Sequence, residues 1–130
     1  MIEHIPPQAA WALLQEDPSA LLIDVRSQAE YLFAGHPVGA ICIPWKDFPE
    51  WQLNSRFVEQ VKSVAGNLDA PVLLLCRSGQ RSAEAAHVLA NAGYTKAINV
   101  SEGFEGPLDE NKQRNAVAGW RYHGLPWEQS

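Results

Sequence analysis

The sequence of 130 residues holds only two cysteines, Cys42 and Cys76, too few for a disulfide scaffold. Neither belongs to a CxxC pair or to a Cys/His cluster with zinc-ligand spacing, and a reducing compartment fits this usage best. No apolar run approaches the roughly 18 residues of a membrane span, and the N-terminus Met1-Ile2-Glu3-His4-Ile5-Pro6-Pro7 lacks the basic-then-apolar order of an export signal. A soluble, cytoplasmic protein with no membrane partner is expected. Basic residues are also scarce: ten against fifteen acidic ones give a formal charge of −5, which argues against a general nucleic-acid surface. Internal repeats, low-complexity tracts and linkers are missing as well. The length suits one domain over residues 1–130 that buries roughly two-thirds of its unfolded surface without a metal or disulfide staple.

What is present alternates between two periodicities. Pro6-Pro7 leads into a helix over 8–15, with Trp11 and Leu14 on one face, that ends before Asp17-Pro18. Residues 20–25 form an apolar run closed by a carboxylate, the pattern of a central parallel strand that presents Asp24 and Arg26 at its carboxyl end. Ser27 and Glu30 form a capping box for a brief helix through Ala34, and Gly35 to Gly39 turn the chain. Residues 39–44 read as a strand stopped by proline, with Cys42 a buried structural thiol rather than a resolving cysteine. Residues 45–54 are aromatic and irregular. Ser55 opens a helix whose Phe57, Val61, Val64 and Ala65 share a stripe. Val72 to Leu75 form a buried strand, and Ala85, Val88, Leu89 and Ala92 mark a helix ended by Gly93. Ala97 to Val100 form the last strand, followed by a glycine-punctuated loop over 101–107. The aromatic segment 119–127 is aperiodic, and residues 107–130 read as an extension that packs on the domain or makes a dimer contact. The expected fold is α/β, a largely parallel sheet of about four to five strands with helices on both faces.

The chemistry concentrates in Cys76-Arg77-Ser78-Gly79-Gln80-Arg81-Ser82. A cysteine that leaves a buried strand for a short loop closing on a helix N-terminus sits among inward-pointing N–H groups at the positive end of a helix dipole. Arg77 and Arg81 add fixed charge, so a thiol that ordinarily ionises near pH 8.5 should be acidified and anionic substrates attracted. A buried free cysteine is usually inert. Here Gly79 supplies backbone freedom, and Ser78, Gln80, Arg77 and Arg81 give the loop more polarity than a structural connection needs, which favours a nucleophile. His36, His87 and His123 are left out of the site, because an acidified thiolate needs no separate base.

Three segments resemble the rhodanese (thiosulfate sulfurtransferase-like) family in its single-domain form. Cys76-Arg77-Ser78-Gly79-Gln80-Arg81 resembles the six-residue active loop. Asp24-Val25-Arg26, Glu30-Tyr31 and Gly35-His36 to Ile43-Pro44 resemble the upstream signature, and Gly93-Tyr94 to Gly103-Phe104 the downstream one. The resemblance implies a sulfurtransferase that takes sulfur from a small anionic donor such as thiosulfate, forms a persulfide on Cys76, and passes it to a thiol, cyanide or protein acceptor. It implies no metal and no organic cofactor. Arg77 and Arg81 would bind the anion, Ser78, Gly79, Gln80 and Ser82 would complete the loop, and Asp24 with Arg26 would support it. A monomer or weak homodimer is expected.

Cysteine phosphatases and arsenate reductases are enzymatic rivals, but their loop sets cysteine and arginine with five residues between them. Here that position is Ser82 and the arginine comes one place earlier, so the loop suits a single sulfur atom better than a bound phosphate. A non-catalytic rhodanese-like module is disfavoured by the intact Cys76. A protein-specific persulfide carrier stays open, because carriage and catalysis share the same intermediate.

Overall fold

The computed structural model describes residues 2–47 and 51–129. In chain order the elements are β1 (Glu3–Ile5), α1 (Pro7–Glu16), β2 (Leu21–Asp24), a π-helical turn at Glu30–Ala34, β3 (His36–Pro37), β4 (Ile41–Cys42), β5 (Lys46–Asp47), β6 (Gln52–Leu53), α2 (Phe57–Val64), β7 (Val72–Leu75), α3 (Gln80–Asn91), β8 (Ala97–Val100) and β9 (Trp127–Glu128). Five strands form one sheet in the order β1-β8-β7-β2-β4, and every adjacent pair is parallel.

The inner strands carry few polar residues because both faces of the sheet are covered. Alternation sends Ile23, Val25, Val72 and Leu74 to one face, where Phe57 and Val61 of α2 and Ala85, Ala86 and Leu89 of α3 meet them. Leu22, Leu73, Leu75, Ile98 and Val100 go to the other, against Ala10 of α1 and the fully buried Phe104 and Trp120. Parallel pairing brings the carboxyl ends of all five strands to one edge, and β7, which delivers Cys76, lies between β8 and β2 in the middle of it. In open parallel sheets that edge is where ligands bind. Among the described residues no helix is long and apolar enough to cross a membrane.

Several local expectations need correction. Glu3–Ile5 is a sheet strand although the run is not apolar; it lies at the edge, with two of its three residues exposed. The turn at 35–39 contains β3, which pairs antiparallel with β9, so part of the aromatic C-terminal stretch is itself a strand. That stretch also sends Trp120 into the core, edge-on to Trp11 with ring centroids 5.8 Å apart. Within 45–54, β5 and β6 form an antiparallel ladder; residues 48–50 of that stretch lie outside the described residues. Val64 is exposed while Ala65 is buried, because the chain leaves the helical conformation at Ala65 and swings that residue inward. Cys42 is half-buried rather than buried, since β4 is a two-residue edge strand paired only with β2.

Candidate active site

Cys76 follows β7, is 1% exposed, and accepts a hydrogen bond from the Gly79 N–H at 3.1 Å. Gly79 makes this possible by taking φ +109° as it turns the chain into α3, a conformation that strains any residue with a Cβ. One turn further, Ser82 in the first turn of α3 places its Oγ 3.3 Å from the Cys76 Sγ. The sulfur thus lies at the N-terminal end of α3, where backbone N–H groups and the helix dipole favour negative charge.

A second loop braces the first. Phe104 N–H donates to the Cys76 carbonyl at 2.8 Å, and the Glu105 and Gly106 N–H groups both donate to the Arg77 carbonyl, at 2.9 and 3.1 Å. Behind it, Asp24 and Arg26 form a fully buried ion pair with an Nη2–Oδ2 distance of 2.6 Å. Arg26 Nη2 also donates to the Gly35 carbonyl at 2.6 Å, and the guanidinium lies 4.6 Å from the centroid of the Phe104 ring. Its Nη1 has no hydrogen-bond partner among the described residues, while the Phe104 ring offers the cation an electrostatic contact. Burial disfavours the Arg26 charge, and the hydrogen bonds and charge of Asp24 more than restore it, raising its pKa. Arg26 thus contacts Phe104, whose backbone N–H bonds the Cys76 carbonyl.

Arg81 is committed within the protein. Its Nη1 and Nη2 donate to the two Glu30 oxygens at 2.7 and 3.0 Å. Burial would raise the Glu30 carboxyl, but hydrogen bonding and charge from Arg81, together with Ser27, hold it at about 2. The Ser27–Glu30 capping box is present, with the Ser27 N–H donating to Glu30 Oε1 at 3.1 Å and the Glu30 N–H to Ser27 Oγ at 3.2 Å. Arg77 is exposed, and with Glu30, Lys46, Trp51, Gln80, Arg81 and Glu84 it lines a cleft of about 340 Å³ beside the loop. Ser78 is half-buried and Gln80 exposed.

The Rhodanese-like domain model matches residues 6–109. The chain belongs to the rhodanese-like family. It is 40% identical to Rv0390 of M. tuberculosis over 98% of both chains, with a TM-score of 0.88. It is 32% identical to the thiosulfate sulfurtransferase GlpE of Pseudomonas fluorescens, over 79% of this chain and 82% of that protein. It also resembles the polysulfide-sulfur transferase homodimer of Wolinella succinogenes at 26% identity, covering 99% of this chain and 80% of that one, with a TM-score of 0.66.

The remaining polar residues of this rhodanese-like chain sort by contact. His36 is buried and stacked on Tyr31 with centroids 3.7 Å apart, His123 bonds Glu102 at 2.8 Å, and His87 is exposed. Among the described residues no cluster of three or more His, Cys, Asp or Glu side chains is placed to hold a metal ion. Two residues have contacts around Cys76 and its loop that the sequence does not show. Glu30 is legible as a helix cap and as part of the upstream signature, but not as the partner of Arg81, which is distant in sequence. Asn99 is 3% exposed and accepts a 2.5 Å bond from Ser82 Oγ; its signal is a single amide inside the apolar run Ala97-Ile98-Asn99-Val100.

Proposed function

We propose that the chain is a sulfurtransferase that moves a sulfane sulfur from thiosulfate or a related small anionic donor to a thiophilic acceptor through a persulfide on Cys76. The observation that carries the reading is the seat of the Cys76 sulfur on the Gly79 N–H at the start of α3. In the first half-reaction the Cys76 thiolate attacks the outer sulfur of the donor. A new S–S bond forms, the bond between the two donor sulfurs breaks, and sulfite departs with its electron pair. The persulfide anion then rests at the loop, where the Gly79 N–H points at the sulfur and the N-terminal end of α3 favours negative charge. In the second half-reaction an acceptor nucleophile takes the terminal sulfur and Cys76 leaves as thiolate.

Arg77 borders the cleft without an ion-pair partner among the described residues, which suits it to receive the incoming anion. Arg81, tied to Glu30, contributes a fixed field and the shape of the wall. The GlpE relative supports thiosulfate as the donor to try first. Treatment of the protein with thiosulfate should add one sulfur, about 32 Da, to the intact mass, and reductant should remove it. Cys76→Ser should show no gain. A gain of equal size in Cys76→Ser would remove Cys76 from the reaction.

A further inference from the structure

Four side chains form a continuous hydrogen-bonded line from the nucleophile to the surface. Cys76 Sγ lies 3.3 Å from Ser82 Oγ, Ser82 Oγ donates to Asn99 Oδ1 at 2.5 Å, and Asn99 Nδ2 meets His4 Nδ1 at 3.0 Å. The first three residues are buried and His4 is exposed. A serine hydroxyl has one hydrogen. With that hydrogen given to Asn99, Ser82 turns a lone pair toward Cys76, an arrangement that accepts an S–H but opposes a thiolate.

Asn99 can reverse this order in place. A half-turn about its terminal torsion exchanges the amide oxygen and nitrogen, which are nearly the same size. Nδ2 then donates to Ser82 Oγ, freeing the hydroxyl hydrogen for the sulfur, and Oδ1 turns to His4. An imidazole nitrogen can serve either order, accepting without a proton and donating with one. We infer that Asn99 is a positioning residue, the pivot of a reversible chain Cys76–Ser82–Asn99–His4 that turns the Ser82 hydroxyl from acceptor to donor as Cys76 becomes a thiolate. Cys76 releases its proton to solvent, and no covalent bond between heavier atoms changes.

The charged groups near the sulfur end are Arg77, next to Cys76 in the chain, Arg81 with its partner Glu30, and the Asp24–Arg26 pair at the end of the neighbouring strand. At the surface end, His4 has Glu3 next to it on β1 and Asn99 opposite it on β8. The first set holds a fixed field on the sulfur, whereas the chain changes sign with the sulfur's own state.

The inference refines the sulfurtransferase reading and is tested without sulfur transfer. The ultraviolet absorbance of the thiolate is followed against pH in the reduced protein, as the difference from Cys76→Ser, which cancels Cys42. Asn99→Asp offers only acceptor oxygens to Ser82 and should move Cys76 ionisation about one pH unit higher, a tenfold loss of thiolate below the midpoint. In a Ser82→Ala background the same substitution should move it by less than a third as much. A shift of equal size in both backgrounds would mean the carboxylate acts through space and would overturn the chain, as would an unmoved titration in a folded Asn99→Asp protein. If near-ultraviolet circular dichroism shows Asn99→Asp unfolded, Asn99→Leu takes its place. That variant releases the Ser82 hydrogen toward the sulfur and should ionise at lower pH, and an unchanged midpoint would sink the proposal. The sulfurtransferase reading fails separately, on the absence of a persulfide mass.

Discussion

Glu30 does two things with one carboxylate: it closes the capping box on Ser27 and fixes the Arg81 guanidinium at the wall of the cleft. Its acidity, held at about 2 in the fold against an ordinary 4.5, is also a statement about stability. A carboxyl whose pKa is depressed by folding contributes fully above its unfolded value and loses that contribution as pH falls toward the folded one. Glu30→Gln should therefore cost about 2 to 3 kcal/mol near neutrality. The gap to the unsubstituted protein should close as the pH drops from 4.5 to about 2, in urea unfolding at a series of pH values. A gap that stays constant across that range would show that Glu30 acts through the neutral cap alone. Sequence reading found both partners but could not join them, since residues 30 and 81 meet only when β2 and β7 pair.

The central unit, β7 followed by the loop and α3, was legible because each part carries a signal of its own. Four apolar residues mark the strand, a polar run with Gly79 marks the loop, and apolar spacing marks the helix. The short elements were not legible for an equally physical reason. A two-residue strand such as β3 or β9 has no period to detect, and β1 exposes two of its three residues at an edge, where backbone pairing defines it. The bracing of one loop by another is likewise hidden, although Gly103 marks the place. Gly103 has φ +69°, and a Cβ there would come within 2.5 Å of the Arg77 backbone. Gly103→Ala should lower stability by about 2 kcal/mol or more and reduce sulfur transfer by more than tenfold, because relief of the clash displaces the active loop. Gly39→Ala has a similar φ of +84° but an added Cβ meets nothing within 4 Å. It should cost only about 1 kcal/mol and leave turnover near its starting value, so thermal melts and assays of the pair separate backbone strain from loop displacement.

At the scale of the molecule the sheet is covered by helices on one side, and on the other by α1 together with residues that follow β8. Trp120 joins that second layer, fully buried, with its indole N–H donating to the Pro126 carbonyl at 2.8 Å. The layer continues to the edge of the site, where Arg121 lies 5.2 Å from the Phe104 ring centroid. Trp120→Ala should remove about 3 to 5 kcal/mol of stability and, where enough protein stays folded, impair transfer through Phe104. Full stability in chemical unfolding of that variant would mean the second layer closes without it. The family model ends at residue 109, so this part of the core is built from sequence beyond the matched segment. The near-complete enclosure of Cys76 has a further consequence for who can be served. Cys76 as a residue is 1% exposed, which closes it to anything broad, and on the proposed mechanism a persulfide would carry the transferable atom only about 2 Å farther, the length of one S–S bond. A small molecule can follow it in. On the proposed sulfurtransferase reading, a protein acceptor would have to extend a narrow protrusion, with its receiving thiol on a chain end or a projecting loop rather than on a flat face.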